Sequence, residues 1–217
     1  MRSRISLQKS AEELISQLEE KLRFFSLCGM EYLRKESIEE RILVCQNCPL
    51  SETRNKAVPG EGNLHADLMF VGEAPGRDED LQGSPFVGRA GQLLTRIIHA
   101  MQYRREEVYI TNVIKCRPPD NRTPTGEEII KCKAFLLEQI DSIQPRVIVA
   151  LGRVAAHFFI PDKRGMTALR GNFYEYEGIK IMPTFHPSYL VRNEQNKGLK
   201  KLVWEDMKKV MAFLGKK

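Results

Sequence analysis

Four cysteines, an acidic glycine turn, an asparagine inside an apolar run and a histidine just after another are the residues best suited to chemistry in this chain. Cys45 and Cys48 are spaced C-x2-C, 67 residues lie between Cys48 and Cys116, and 15 lie between Cys116 and Cys132. The first pair is a metal half-site, whereas the second has no standard spacing; spacing alone leaves zinc and an iron–sulfur centre equally open. Cys132 also shares a helical face with Ile129, Leu136 and Ile140, so a buried free thiol is the competing reading. Cys28 has no partner in the pattern. Five cysteines in a chain of 217 residues argue against a disulfide framework.

The stretch from Gly72 to Gly91 reads GEAPGRDEDLQGSPFVGRAG. It opens with a Gly-Pro turn behind an apolar run and carries Glu73, Asp78, Glu79 and Asp80. It then sets an aromatic ring, Phe86, in a small-residue loop. Neither GEAPG nor GRAG is a Walker loop, because no Gly-Lys-Ser/Thr follows, and no GxGxxG follows the apolar run. Such a turn can still aim backbone N–H groups at an oxygen. Phe86 lies outside any periodic segment and reads either as a loop anchor or as an exposed platform on which a planar base stacks. Asn112, inside an apolar run, must pair its amide with backbone or present a donor and an acceptor side by side to a ligand. His186 belongs to His-Pro-Ser directly behind an apolar run, a loop position where function outweighs packing.

These residues need a frame. From residue 66 the pattern is strand, turn, helix, repeated. ADLMFVG, VYITNVI and RVIVALG are buried strands, and FYEYEGIKIMPTF is an edge strand and a last core strand around a Glu-Gly turn. Helices fall near 92–101, from the Thr125–Glu128 capping box through Ile140, over RVAAHFF, and over 198–214. The alternation predicts a three-layer α/β/α fold around a central four-stranded, mostly parallel sheet. The turn at Gly72, Asn112, Gly152 and His186 then converge on the carboxyl edge of the strands, where open parallel sheets bind ligands. Residues 1–35 read as a helical extension with a stripe of Leu7, Ala11, Leu14, Leu18, Leu22 and Phe25, leaving 36–217 as the main domain.

The net charge is +6. Residues 1–44 hold eight basic and eight acidic side chains, so the whole excess lies in the body. That balance suits an anionic partner such as nucleic acid, although a lysine-rich surface explains it as well. No apolar run is long enough to span a membrane and no secretory segment is present, so the expected location is the cytoplasm.

The segments CQNCPL, FVGEAPGRDEDLQGSPFVGRAGQLL, YITNVIKCRPP and TFHPSYL, in that order, resemble the family 4, iron–sulfur members of the uracil-DNA glycosylase superfamily. The resemblance covers roughly residues 38–214. It implies a monomeric repair enzyme that acts on uracil-containing DNA, single- or double-stranded, and carries a [4Fe-4S] cluster on Cys45, Cys48, Cys116 and Cys132. It implies that Phe86 stacks on an extruded uracil, that Asn112 pairs with its O4 and N3–H, and that His186 contacts O2. Glu73 and Ala74 would lend backbone donors and hold the water, with Glu73 a candidate base. Glu79 would crowd C5 and exclude thymine. Gly88, Arg89, Ala90, Gly91 and Ser188 would hold phosphates, while Tyr189 and Leu190 would wedge the duplex. One superfamily branch carries an aspartate where Ala74 stands here, so no obvious general base is inherited. Another branch traps DNA through a histidine; residues 120–126 read DNRTPTG, without one, so turnover is expected.

Two other readings keep the same residues. One is a sister glycosylase for other deaminated bases; the other is a catalytically silent, metal-bearing nucleic-acid-binding module, which the pairing of Asn112 with His186 disfavours.

Overall fold

The computed structural model describes residues 16–17, 19–21, 36–162 and 164–216. Residues 16–17 and 19–21 are helical; the six residues of the expected N-terminal stripe and Cys28 lie outside the described part.

Strands Leu68–Gly72 (β2) and Val147–Leu151 (β4) are buried along their whole length. They are apolar throughout because both faces of a parallel sheet are covered. Successive side chains go to opposite sides. Met69, Val71, Ile148 and Ala150 enter one core, and Leu68, Phe70, Val147 and Val149 the other. Gly126–Ile143 (α5) and Arg153–Phe159 (α6) supply the first core with Leu136, Ile140, Ala156 and Phe159. Arg89–Ala100 (α4) and Lys197–Phe213 (α9) supply the second with Leu94, Ile98, Val203 and Met207.

The sheet is mixed and six-stranded, in the order β1-β3-β2-β4-β6-β5. Tyr109–Asn112 (β3), β2, β4 and Ile179–Thr184 (β6) run parallel in its middle. Glu61–Gly62 (β1) and Tyr174–Tyr176 (β5) close the edges antiparallel. The four central strands are flanked by two edge strands, making six rather than four; β5 is the edge strand expected before the Glu-Gly turn, and β1 lies outside the expectation. β5 is the edge strand of the Glu177-Gly178 hairpin, whose two turn residues take φ of 49° and 82°, as a tight hairpin turn requires. β1 is two residues long and exists only through pairing with Ile110 and Tyr109, so it has no periodicity to read.

Helix α5 starts at a capping box in which Glu128 N–H donates to Thr125 Oγ1 and Thr125 N–H to the Glu128 carboxylate. Arg122 grips the same carboxylate with both terminal nitrogens, which holds its pKa down at about 2. No helix among the described residues is long and apolar enough to cross a membrane.

Candidate active site

The four central strands deliver their polar residues to one edge. Gly72 ends β2, Asn112 ends β3 directly opposite it, Gly152 follows β4, and His186 follows β6 by two residues. Between them opens a cleft of ≈ 760 Å³ lined by Glu73, Ala74, Glu79, Phe86, Ala90, Asn112, His186, Ser188 and Tyr189. That volume suits a nucleotide-sized ligand.

Asn112 is 1 % exposed, and its Oδ1 has no hydrogen-bond partner; it is the single such buried side-chain atom among the described residues. An orphaned buried acceptor costs ~1–3 kcal/mol, so it calls for a donor. Gly72 lies beneath it. A Cβ there would stand 2.3 Å from Asn112 Oδ1 and 2.5 Å from Phe86 Cζ. The amide and the ring therefore close over the one residue without a side chain.

Phe86 is 6 % exposed, not the exposed ring that its loop context suggests. Its ring centroid is 5.6 Å from that of His186, at an interplanar angle of 32°. Its φ is 52°, a left-handed conformation that costs a bulky residue ~1–3 kcal/mol unless neighbours enforce it.

His186 caps the helix Pro187–Arg192 (α8). Ser188 N–H donates to His186 Nδ1 at 3.1 Å, and Ser188 Oγ stands 2.8 Å from the same atom. A backbone N–H can only donate, so Nδ1 carries no proton and the neutral ring bears its proton on Nε2. Burial, and then the Arg192 charge, lowers the pKa to about 4. The ring offers the cleft a neutral Nε2–H donor at pH 7.

Glu73 is pushed above the usual carboxylate range by burial, an effect opposed by the Thr123 hydroxyl and by the Arg153 and Arg192 charges. Glu79 has both oxygens occupied: Oε1 accepts from Val87 N and Gly88 N, each at 2.9 Å, and Oε2 from Gly76 N at 3.1 Å. Gly88 caps α4, so the N–H groups of Arg89, Ala90 and Gly91 form its first turn, which has no helical acceptors. Arg89 is exposed, Ala90 lines the cleft and Gly91 is packed against the Phe86 backbone. Tyr189 is 40 % exposed, whereas Leu190 is 2 % exposed and belongs to the second core. Leu190 therefore does not reach the surface with Tyr189, because successive residues of an α-helix point about 100° apart and Leu190 falls on the face of α8 turned to the core.

The cleft also holds residues that the sequence pattern does not reveal. Arg122 and Thr123 come from the loop before α5, Arg153 from the start of α6 and Arg192 from the end of α8. Behind it, Asp206 is fully buried and accepts from Thr184 Oγ1 at 2.6 Å and from Arg170, fixing the strand end that launches His186. Only a buried acid in an amphipathic helix hints at this pair.

The four cysteines form no disulfide and surround one small cavity, which Arg54, Lys115 and Lys131 also line. Arg54 Nη1 donates to Cys116 Sγ at 2.9 Å. Burial raises the Cys116 thiol, and raises that of Cys132 to about 11 against the pull of Lys115. Among the described residues no three His, Cys, Asp or Glu side chains are grouped for a single ion. Four cysteines from three chain segments around one shared cavity are a donor set that suits a thiolate-ligated centre, zinc and iron–sulfur alike. Lys115 Nζ, wholly buried, donates to Thr111 Oγ1 (2.7 Å), Gln139 Oε1 (2.7 Å) and the Asn112 carbonyl (2.8 Å), so one side chain joins this cavity to the cleft.

The family model described as uracil DNA glycosylase superfamily matches residues 59–208. The chain belongs to that superfamily, within its type-4 branch. It is 52 % identical over 190 residues to the type-4 uracil-DNA glycosylase of Thermotoga maritima, covering 85 % of this chain and 98 % of the relative. It is 45 % identical to the type-4 uracil-DNA glycosylase of Archaeoglobus fulgidus, covering 84 % and 94 %. It is also 32 % identical to the type-5 uracil-DNA glycosylase of Pyrobaculum aerophilum, covering 62 % and 67 %.

Proposed function

We propose that the protein hydrolyses the N-glycosidic bond of uracil in DNA and leaves an intact abasic strand, the first step of a cytoplasmic excision repair. The observation that carries this reading is the orphaned Asn112 Oδ1. It is an acceptor in search of a donor. Uracil presents N3–H there, beside an O4 that the amide NH₂ can meet. Cytosine presents a bare N3 and a donor at N4, the reverse pattern.

The chemistry follows from the neighbouring groups. The base leaves as an anion, with charge gathering at N1 and O2. A neutral Nε2–H on His186 stabilises that charge without first losing a proton. Turning a base out of the stack costs a few kcal/mol, which the Phe86 face offsets by stacking. Glu73, raised by burial, is the acceptor available for the attacking water's proton as the sugar is captured. Arg153 and Arg192, with the first turn of α4, meet phosphates. Tyr189 alone fills the place of the emptied base, since Leu190 is buried. Glu79 crowds the cleft near the C5 edge of the base. Cys45, Cys48, Cys116 and Cys132 would hold a [4Fe-4S] cluster, and bound there it would tie three chain segments together.

Incubation with a uracil-containing oligonucleotide, followed by alkali, tests the reading. Free uracil and an alkali-labile strand are expected. Persistence of the intact base, or strand cleavage without alkali, is the contrary result.

A further inference from the structure

Phe86 holds a backbone conformation that a bulky residue adopts only under constraint. The constraints are on both sides of it. Downstream, Glu79 gathers the N–H groups of Val87 and Gly88. Upstream, Arg105 Nη2 donates to the Pro85 carbonyl at 2.6 Å. The same guanidinium donates through Nη1 to Thr95 Oγ1 at 3.0 Å and through Nε to Glu61 Oε1 at 2.8 Å. Thr95 in turn donates to the Gly91 carbonyl at 3.1 Å. Gly91 is pressed so closely on the loop that a Cβ there would lie 1.8 Å from the Phe86 oxygen.

Arg105 lies in the short turn Arg105–Glu107, between α4 and β3. Neither it nor Glu61, Thr95 or Pro85 lines the cleft. A planar fork spent on three separate elements is a bracket, and a lysine cannot reproduce it. Its one attachment beside the cleft is the carbonyl immediately before the ring.

We propose that Arg105 is a positioning residue: it pins the Pro85 carbonyl so that the Phe86 ring is set as a base platform before DNA arrives. This rests on the base-excision reading given above. The bracket reaches the ring directly through the Pro85 carbonyl and the first turn of α4 only indirectly, through Thr95. Losing it should weaken what depends on stacking far more than what depends on phosphates.

The test is a double-mutant cycle of Arg105→Gln with Phe86→Ala, in the full chain. Three quantities are read: single-turnover excision, inhibition by free uracil, and affinity for an oligonucleotide carrying a stable abasic analogue. Arg105→Gln should weaken uracil inhibition and slow excision by about tenfold, while abasic-DNA affinity stays within about twofold. Added to Phe86→Ala it should have no further effect, because the platform it positions is gone. Arg105→Lys should not restore the loss. Equal penalties in the two backgrounds would make Arg105 a general structural residue and overturn the inference, as would a loss of abasic-DNA affinity with uracil inhibition intact. Should Arg105→Gln fail to fold, Thr95→Val removes one anchor of the fork and takes its place in the cycle, with the same pattern at smaller size. A wild-type protein that releases no uracil and is not inhibited by it removes the excision reading itself, a different result from an additive cycle in an active enzyme.

Discussion

The cleft and the cysteine cavity are joined by one buried lysine, yet they are built on opposite principles. In the cleft, polar groups are left open inside a stiff frame: an orphaned amide oxygen, a histidine whose tautomer is set by a backbone N–H, a ring held in a costly conformation. In the cysteine cavity the groups are held closed. Burial disfavours ionisation of Cys116 and Cys132, and the local cations Arg54 and Lys115 only partly oppose it. A cleft of the first kind is prepared for a neutral planar ligand that brings its own donors. A site of the second kind would be stabilised by a positively charged partner that converts thiols to thiolates, as the proposed cluster would. The lesson is that substitutions at the two places should separate: the cleft should lose rate and selectivity, the cavity should lose structure.

The largest separation is expected at Asn112. Asn112→Asp removes the donor for O4 and supplies an acceptor for a cytosine amino group. Uracil excision should fall by ~10⁴, because buried groups are left mismatched, with a small gain of cytosine excision and little change in melting temperature. Near-wild-type uracil activity in this variant would mean that the base is read elsewhere.

Next comes His186. His186→Ala should lower the single-turnover rate by ~10²–10³ with DNA affinity little changed. The pH dependence sharpens the point. With a folded pKa of about 4, against 6.5 for an ordinary histidine, the ring stays neutral as pH falls through 6.5. No loss of rate belonging to His186 should therefore appear near pH 6.5; its acid limb belongs near 4. Stability behaves accordingly. Between 6.5 and 4 the unfolded chain binds a proton that the folded chain refuses, so stability declines over that window. His186→Gln should flatten the decline, as melting curves at pH 7 and pH 5 would register.

On the cavity side, Cys132→Ser should behave in the opposite sense. Protein purified without oxygen should carry iron and sulfide in the wild type, and the variant should lose both together with thermal stability. A Cys132→Ser chain with unchanged iron content and an unchanged melting curve breaks the comparison. The smallest effect is expected where the cavity helix begins. Glu128→Gln weakens the capping box and the Arg122 pair, costing about 1 kcal/mol. Because the Glu128 pKa is lowered to about 2, the wild-type advantage is full above the ordinary glutamate range and fades as pH falls towards 2. The two melting curves should converge in acid.

Much of this was legible in the residues. Runs such as Val147–Leu151 are apolar without alternation because both faces are buried, and that signature identifies the parallel strands directly. The turn at Gly72, Asn112 and His186 sit where those strands stop, so the cleft follows from the strand ends. Other features depend on contacts made across the fold. β1 is a strand only because Tyr109 and Ile110 pair with it. Phe86 looks like a loop aromatic until Arg105 and Glu79 are seen to seat it, and both residues are distant from it by helical or strand logic. Leu190 and Tyr189 are neighbours in sequence, and only the burial of one face of α8 tells them apart. Glu73 depends on Thr123, Arg153 and Arg192, which come from three separate segments with no shared pattern.

Gly72 bears on how such a protein can change. The Asn112 amide and the Phe86 ring, the proposed reader and platform of the base, both rest over this one position, at distances a methyl group cannot share. Any side chain there displaces reader and platform together. Selectivity and affinity cannot then be adjusted separately by small substitutions at the floor of the cleft, and a lineage seeking a new base must alter the walls instead.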